Sequence, residues 1–443
     1  MALDQYLIEQ RWFGSKAREV SHVDTVAEVP LRDGVQLVFV ESVFGAGTHE
    51  TYQLIQRADG DDDVLAEHAG VLLDLIREQA DLEHDEAIVR FRRLAEIGAT
   101  YAAHPPRPIG AEQSNSSVVF GDELILKVFR RLEPGINPDL ELTRFLTEHG
   151  FQRIPDLVGW YEIEGRAIDA TLGMLQQFIA GGRDGWDLAL DELESDPDAF
   201  LERAARLGEV IGEMHAVLGS DSSDHAFAPE EPSVEALSLL TATIDEDIER
   251  IFLDLQARDE AADIAGRGEE VRDLLRMLTQ VAAGGRVIRH HGDLHLGQTL
   301  WAPLGDGPLS FTKGDGAGDW IVLDFEGEPA RPLAERRRKR SPLRDVAGML
   351  RSFAYAASAV ELQRGVSAPE GWEDRAREVF LDGYARTVDA ALLPPGQAAI
   401  DQLLSIFELE KAVYELRYEL NNRPDWVRIP VAGILRLLET PVG

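Results

Sequence analysis

Cysteine is absent from these 443 residues, which excludes disulfides, thiolate zinc sites and thiol nucleophiles. Lysine is scarce: it stands only at positions 16, 127, 313, 339 and 411, so nearly all of the 44 basic side chains are arginine. Positive charge is short as well. Acidic residues number 80, the formal net charge is −36 and the pI is near 4.6. That balance argues against nucleic acid held on a broad basic surface, and against anionic membranes. No apolar run of 18 residues occurs, so no segment reads as a membrane span. The opening Met1–Gln5 has neither a basic region nor an apolar stretch, so no signal peptide is visible. A soluble, cytoplasmic protein without nucleic-acid or membrane partners is expected.

What is present suffices for packed cores: 44% of residues are hydrophobic, and the length suits two or three domains. Residues 1–85 read as an α/β cap, with a short helix carrying Gln10–Lys16 and strands at Val26–Pro30, Val35–Val43 and Thr51–Ile55. Arg11, Trp12 and Lys16 suit packing better than substrate contact. Residues 86–180 read as a second sheet unit behind a helix at Asp85–Ile97. Here a Ser/Asn-rich turn containing Ser114, Asn115 and Ser116 precedes a hairpin, Val118–Phe120 and Leu124–Phe129, turning at Gly121-Asp122. The strand Thr171–Ile179 then runs into Gly181-Gly182. From residue 181 onward the pattern is helical, at Ala199–Leu218, Leu237–Ala262, Val271–Val281 and Phe407–Leu420. His215 falls on an apolar helix face and reads as core.

The chemistry concentrates between His290 and Glu326. His290-His291-Gly292-Asp293 is followed by Gln298, and the apolar run Trp320–Leu323 ends in Asp324-Phe325-Glu326. An isolated His-Gly-Asp is most often an ordinary turn, but a buried strand ending in Asp points to a solvated cleft or a metal. The order of parts is that of a kinase: Asp293 as base for an attacking hydroxyl, Gln298 and Asp324 as oxygen ligands to magnesium. Gln stands where kinases carry Asn, and Glu326 where they carry Gly. Lys127, on an alternating strand, occupies the place of the phosphate-contacting lysine. Ser114, Asn115 and Ser116 would present groups to phosphates. Gln177 and Ile179 would offer backbone to an adenine. Glu141 is either the ion-pair partner of Lys127 or a solvated first-turn residue. Two further features stand apart. Arg331–Arg340 is the one dense basic run, suited to phosphate or, better, to the chain's own acidic surface. Asp345 opens a helix and is a candidate anchor for the loop at Asp293. Near the end, Glu410, Glu415 and Glu419 with Tyr414, Tyr418 and Trp426 mix acids and aromatics as sugar sites do, or as a solvated face with a tyrosine seam does.

On Gln10–Lys16, Glu112–Asn115, Leu126–Arg131, Asn137–Glu141, His291–Gln298, Asp324–Pro329, Ser341–Phe353 and Glu408–Trp426, the chain resembles the actinobacterial maltokinases and the related bacterial glucosamine kinases. The resemblance implies an α+β, bilobal, aminoglycoside-phosphotransferase-like (protein-kinase-like) fold. An N-terminal α/β cap (1–85), a nucleotide-binding subdomain (86–180) and a mainly helical C-lobe (181–443) would compose it. It also implies ATP- and Mg2+-dependent phosphorylation of a small sugar, maltose or alternatively glucosamine, by a monomer or homodimer. A choline or aminoglycoside kinase is the next alternative. His295, Glu326, Tyr414, Glu415, Glu419, Asn422 and Trp426 are the substrate residues expected. The stretch 304–319 departs from the compact form of its segment.

Overall fold

The computed structural model describes residues 3–16, 18–45, 47–58, 60, 63–98, 105–109, 115–166, 168–255, 261–279, 284–303, 318–329 and 331–439. Ser114, Glu112, Gln113 and most of the 304–319 stretch lie outside them. The described residues up to Gly181 form one compact unit and those from Gly182 the other. Gly181 takes φ +76°, a conformation that suits glycine, where the chain passes between them. No helix among the described residues is long and apolar enough to cross a membrane.

The first unit opens with α1 (Leu3–Glu9). Three antiparallel strands follow, β1 (Val20–Pro30), β2 (Val35–Phe44) and β3 (His49–Arg57), then α2 (Leu65–Glu78). A hairpin of β4 (Asp81–His84) and β5 (Ala87–Arg93) comes next, then β6 (Arg107–Ile109), β7 (Asn115–Phe120), β8 (Leu124–Phe129) and β9 (Arg131–Leu132). After α3 (Pro138–Glu148), the strands β10 (Leu157–Gly165) and β11 (Ala170–Gln177) complete a seven-stranded sheet ordered β4-β5-β10-β11-β8-β7-β6. β9 returns to β3 in the other sheet.

One sequence expectation fails here. Asp85–Ile97 is no helix: Asp85 turns at φ +49° and Ala87-Ile88-Val89-Arg90-Phe91 alternates as a strand paired with β10. β-branched residues and a waiting strand edge outweigh local helix preference. Packing runs across residue 85. Leu37, Phe39 and Ile55 of the first sheet share a core with Leu72 and Ile76 of α2 and with Val89, Phe91, Leu126 and Leu172 of the second. Trp12 and Phe13 are buried against Tyr52, as packing residues.

The second unit holds β12 (Arg183–Asp184), α4 (Gly185–Ser195), α5 (Pro197–Leu218), α6 (Val234–Leu255), α7 (Gly268–Thr279), β13 (Thr299–Pro303), β14 (Gly318–Val322), α8 (Leu333–Arg336), α9 (Leu343–Arg364), α10 (Trp372–Thr387), α11 (Gln397–Asn422) and α12 (Arg428–Glu439). The three strands form one small antiparallel sheet. α5 and α10 pack with backbones nearly touching: a Cβ at Gly208 would lie 2.1 Å from the Phe380 carbonyl, and one at Gly383 2.1 Å from that of Ala205. Larger residues would force these helices apart. Their closeness matters because α5 carries His215 and α10 carries Tyr384, both of which support the loop described next.

Candidate active site

In the second unit, the loop 290–295 is fixed before any ligand arrives. Gly292 adopts φ +87°, and a Cβ there would come within 3.3 Å of Gly327 Cα. The backbone N–H groups of His291 and Gly292 donate to the two oxygens of Asp345 at 2.8 and 2.9 Å. Asp345, fully buried at the start of α9, meets His215 Nε2 at 3.1 Å, and His215 Nδ1 meets the Tyr384 hydroxyl at 3.0 Å. Burial opposes the charge on Asp345, yet the nearby histidines hold its carboxyl well below the usual range. It is an ionised anchor for two amides, which is the expected role of Asp345 and makes His215 its buried support. His291 also caps the other side of the site, its Nε2 lying 2.8 Å from the Leu323 carbonyl.

The β13–β14 ladder sets Gln298 beside Asp324. Thr299 pairs with Val322, and Leu323 N donates to the Gln298 carbonyl at 2.9 Å. Gln298 Nε2 then donates to Asp324 Oδ2 at 3.1 Å. Asp324 takes φ +60°, a left-handed conformation that costs a non-glycine residue on the order of 1 kcal/mol or more and clusters at functional sites.

Asp293 has a partner that sequence reasoning missed. Lys411 of α11 donates to Asp293 Oδ1 at 2.9 Å and to Glu328 Oε1 at 3.3 Å. Burial opposes the ammonium, but Asp293 and Glu328 raise its pKa above the ordinary lysine value. Glu328, also bound by Arg331, is drawn down to about 2 against the cost of its burial. These groups line a cleft of about 400 Å³ together with Tyr414, Glu410, Arg331 and Arg344. The rarity of lysine was the available signal, and Lys411 is one of five.

Of the seven expected substrate residues, Tyr414 lines this cleft and the other six do not. Glu415 is held by the buried Arg351 at 2.7 and 3.0 Å. Glu419 accepts from Arg423 at 2.6 and 2.9 Å and from the Tyr355 hydroxyl at 3.2 Å. Trp426 stacks on Tyr355 and carries the Arg423 guanidinium over its ring, and exposed Asn422 donates to the Tyr418 carbonyl at 2.8 Å. The carboxylates expected to accept sugar hydroxyls are already engaged by arginines. His295 is half-buried between Asp293 and Gln298 in the chain, and Glu326 is buried, its carbonyl accepting from Arg336.

In the first unit, Lys127 is buried and its ammonium lies 2.8 Å from Asp139 Oδ2. The expected partner was Glu141. Asn137 caps α3 by accepting from Asp139 N, which turns the first-turn Asp139 toward β8. Residues two apart on a helix lie about 200° apart around its axis, so Glu141 takes the other side. Asn115 and Ser116 belong to β7 rather than to a turn. Asn115 and the unpredicted Ser117 share the face of Lys127, since Ser117 pairs with Lys127 and Asn115 with Phe129. Ser116 is on the opposite face, its hydroxyl accepting from Arg130 at 2.8 Å, and Arg130 is bound to Asp63. Gln177 ends β11 and donates its backbone N–H to the Asp156 carbonyl, with buried Ile179 beyond it.

Residues 105–311 match the model of the phosphotransferase enzyme family, and residues 6–73 that of the maltokinase N-terminal cap domain. Over those residues the chain resembles the phosphotransferase enzyme family, and it is a kinase acting on a sugar hydroxyl. This phosphotransferase is 27% identical to a glucosamine kinase of Streptacidiphilus jiangxiensis over 345 residues, 75% of this chain and 73% of that protein. It is 27% identical to one of Mycolicibacterium smegmatis over 362 residues, 77% of this chain and 82% of that protein. The solved structure of a glucosamine kinase in complex with glucosamine, ADP and inorganic phosphate superposes with a TM-score of 0.71 at 22% identity, covering 98% of this chain and 96% of that one. A second crystal form of a glucosamine kinase gives 0.75 at 22% identity, covering 99% and 98%. At that identity the likeness speaks for the fold, and the phosphotransferase has the expected α+β kinase-like one.

Proposed function

We propose that this protein is an ATP-dependent kinase that phosphorylates a hydroxyl of a small neutral sugar, with maltose the first candidate. Asp293 is the base. Lys411 engages its Oδ1, which orients the carboxylate and leaves Oδ2 to accept the hydroxyl proton. Lys127, held by Asp139, is the cation for nucleotide phosphates, and Asn115 and Ser117 share its face of the sheet. The family resemblance and the ADP-bound relative support ATP as donor.

Gln298 and Asp324 fit magnesium: both offer hard oxygen donors, adjacent at the end of a strand pair, and Asp324 keeps a strained backbone there. Magnesium bound by them would neutralise charge on the phosphates.

One observation carries the acceptor class. Lys411 touches both Asp293 and Glu328, and Arg331 and Arg344 line the same cleft. These three cations share the cleft with the carboxylates of Asp293, Glu328, Glu410 and Asp345, and sugar hydroxyls can bridge groups of both signs. The name of the maltokinase cap model agrees with a neutral sugar. The names of the curated relatives favour glucosamine as the second reading. ADP release with ATP and magnesium, measured against maltose, glucose, glucosamine, choline and an aminoglycoside, separates them. Turnover on maltose or glucose supports the proposal. Turnover on glucosamine alone would replace the neutral sugar by an amino sugar, and silence on every sugar would overturn both readings.

A further inference from the structure

The cleft at Asp293 leaves most of the basic run at 331–340 unexplained. With 80 acidic side chains against 44 basic ones, an arginine here does not lack potential partners. Most of the run finds acceptors. Arg331 pairs with Glu328, Glu335 and Glu410, as expected for a run that meets its own acidic surface. Lys339 donates to the carbonyls of His225 and Ala228 at 2.8 and 2.7 Å and to Glu230. Arg336 donates to the carbonyls of Arg331 and Glu326, each at 3.1 Å.

Arg340 differs. It is half-buried, and among the described residues its guanidinium makes no hydrogen bond or ion pair. Its backbone is nonetheless fixed: Arg340 and Ile288 exchange two backbone hydrogen bonds of 2.9 Å. That bridge holds it beside the chain leading to His290. Arg340 and His290 line a second recess of about 320 Å³, walled also by Arg331, Arg336 and Arg344. His290 brings an independent sign of a missing partner: it is 7% exposed, and its Nδ1 is shut from solvent with no hydrogen bond. Burial, only partly offset by Asp345, lowers its pKa to about 3, so the ring is neutral and one nitrogen can donate. The carboxylates of this recess are Glu328 and Glu335. Four guanidinium groups line it against these two carboxylates, and Glu410, paired with Arg331 and Arg344, reduces the excess to one positive charge. Burial and then the neighbouring Arg344 and Arg331 depress the Arg340 pKa, with Glu410 acting the other way.

We propose that this recess binds a phosphate-class oxyanion, either free phosphate dianion or the phosphate end of a small monoester, with Arg340 as its principal ligand and the neutral imidazole of His290 in its wall. The guanidinium excess suits an oxyanion, and a planar guanidinium offers paired donors to adjacent phosphate oxygens. Chloride would gain little from such a fork. The recess shares Gly292, Glu328, Arg331 and Arg344 with the cleft at Asp293, so its occupant would sit against the wall of that cleft.

The test reads binding, so it stands apart from the assignment of a sugar. The full chain, saturated with Mg-ADP to occupy the nucleotide site, is titrated calorimetrically with inorganic phosphate and separately with glucose 1-phosphate, at ionic strength held constant with chloride. One saturable site is expected. Arg340→Gln weakens it at least tenfold, the scale of a lost charge-assisted hydrogen bond. Glu335→Gln, which removes a carboxylate from the recess, strengthens it. Sugar turnover without added phosphate stays within about twofold of wild type in Arg340→Gln. Arg340→Lys, which keeps the charge but loses the fork, gives an intermediate value and guards against misfolding of the glutamine variant. Tighter binding of the monoester assigns the recess to a phosphorylated small molecule, and tighter binding of inorganic phosphate assigns it to the free ion. Equal affinity in wild type and Arg340→Gln, or no saturable binding of either probe, overturns the proposal.

Discussion

Lys127 and Lys411 are two of five lysines, one in each compact unit, and each ammonium lies within hydrogen-bond distance of an aspartate, at 2.8 and 2.9 Å. The two pairs look alike, yet the proposed mechanism uses them in opposite ways. In that proposal the Lys127 cation is the working group and Asp139 aims it. At Asp293 the proposal makes the carboxylate the working group, with Lys411 aiming it. A buried lysine beside an acid therefore does not reveal its role by geometry alone; the surrounding groups decide. Lys127 shares its sheet face with the polar Asn115 and Ser117, whereas Lys411 shares its cleft with a second carboxylate, Glu328.

Breaking the working member of each pair should have the largest effect. Asp293→Asn is expected to lower kcat by a factor of about 10²–10⁴ with an unchanged circular dichroism spectrum. Turnover near wild type would remove Asp293 from the mechanism. Lys127→Met should act mainly on the nucleotide, lowering kcat/KM for ATP by about a hundredfold or less, with a smaller effect on the KM for the sugar.

The aiming members come next. Asp139→Ala strips the buried Lys127 ammonium of this partner and should destabilise the fold by about 3 kcal/mol in denaturant unfolding, besides weakening ATP use. Glu141→Gln is the control, and should change both by little. Equal losses at 139 and 141 would mean that α3 offers both side chains to the lysine.

The difference between these pairs also marks what the sequence could convey. The proposed catalytic-loop residues stood out because their neighbours in the chain carry the signal: Gly292 permits φ +87° just before Asp293, and Asp324 follows the apolar run Trp320–Leu323. Lys127 was legible from strand alternation. Its partner was not, because the cap at Asn137 decides which first-turn carboxylate faces the sheet, and two candidates stood two residues apart. The partners of the acid-aromatic stretch of α11 were hidden for a different reason. The groups that claim Glu415 and one side of Glu419, Arg351 and Tyr355, lie 64 residues away in the chain, and no local spacing discloses them. A carboxylate flanked by tyrosines reads the same whether a sugar or an arginine completes it. The hairpin at 81–93 likewise depended on β10, which supplies the pairing edge from far along the chain.

A smaller and more selective effect separates the two lysines through pH. Burial opposes ionisation of Glu328, but Lys411 and Arg331 outweigh it and bring its pKa from 4.5 to about 2. A carboxyl depressed in the folded state contributes stability that is fully present above the unfolded pKa near 4.5 and is lost as pH falls toward 2. Glu328→Gln removes that contribution, so the stability gap between wild type and variant should narrow by up to about 3 kcal/mol between pH 4.5 and 2. Lys411→Met should shrink the same window by letting the Glu328 pKa rise. Lys127→Met should leave it unchanged, since no carboxylate of that cluster belongs to its unit. Denaturant midpoints taken across this pH range for the three variants would distinguish them. A window that shrinks equally in Lys127→Met would mean that the two lysines act on one electrostatic cluster rather than on two.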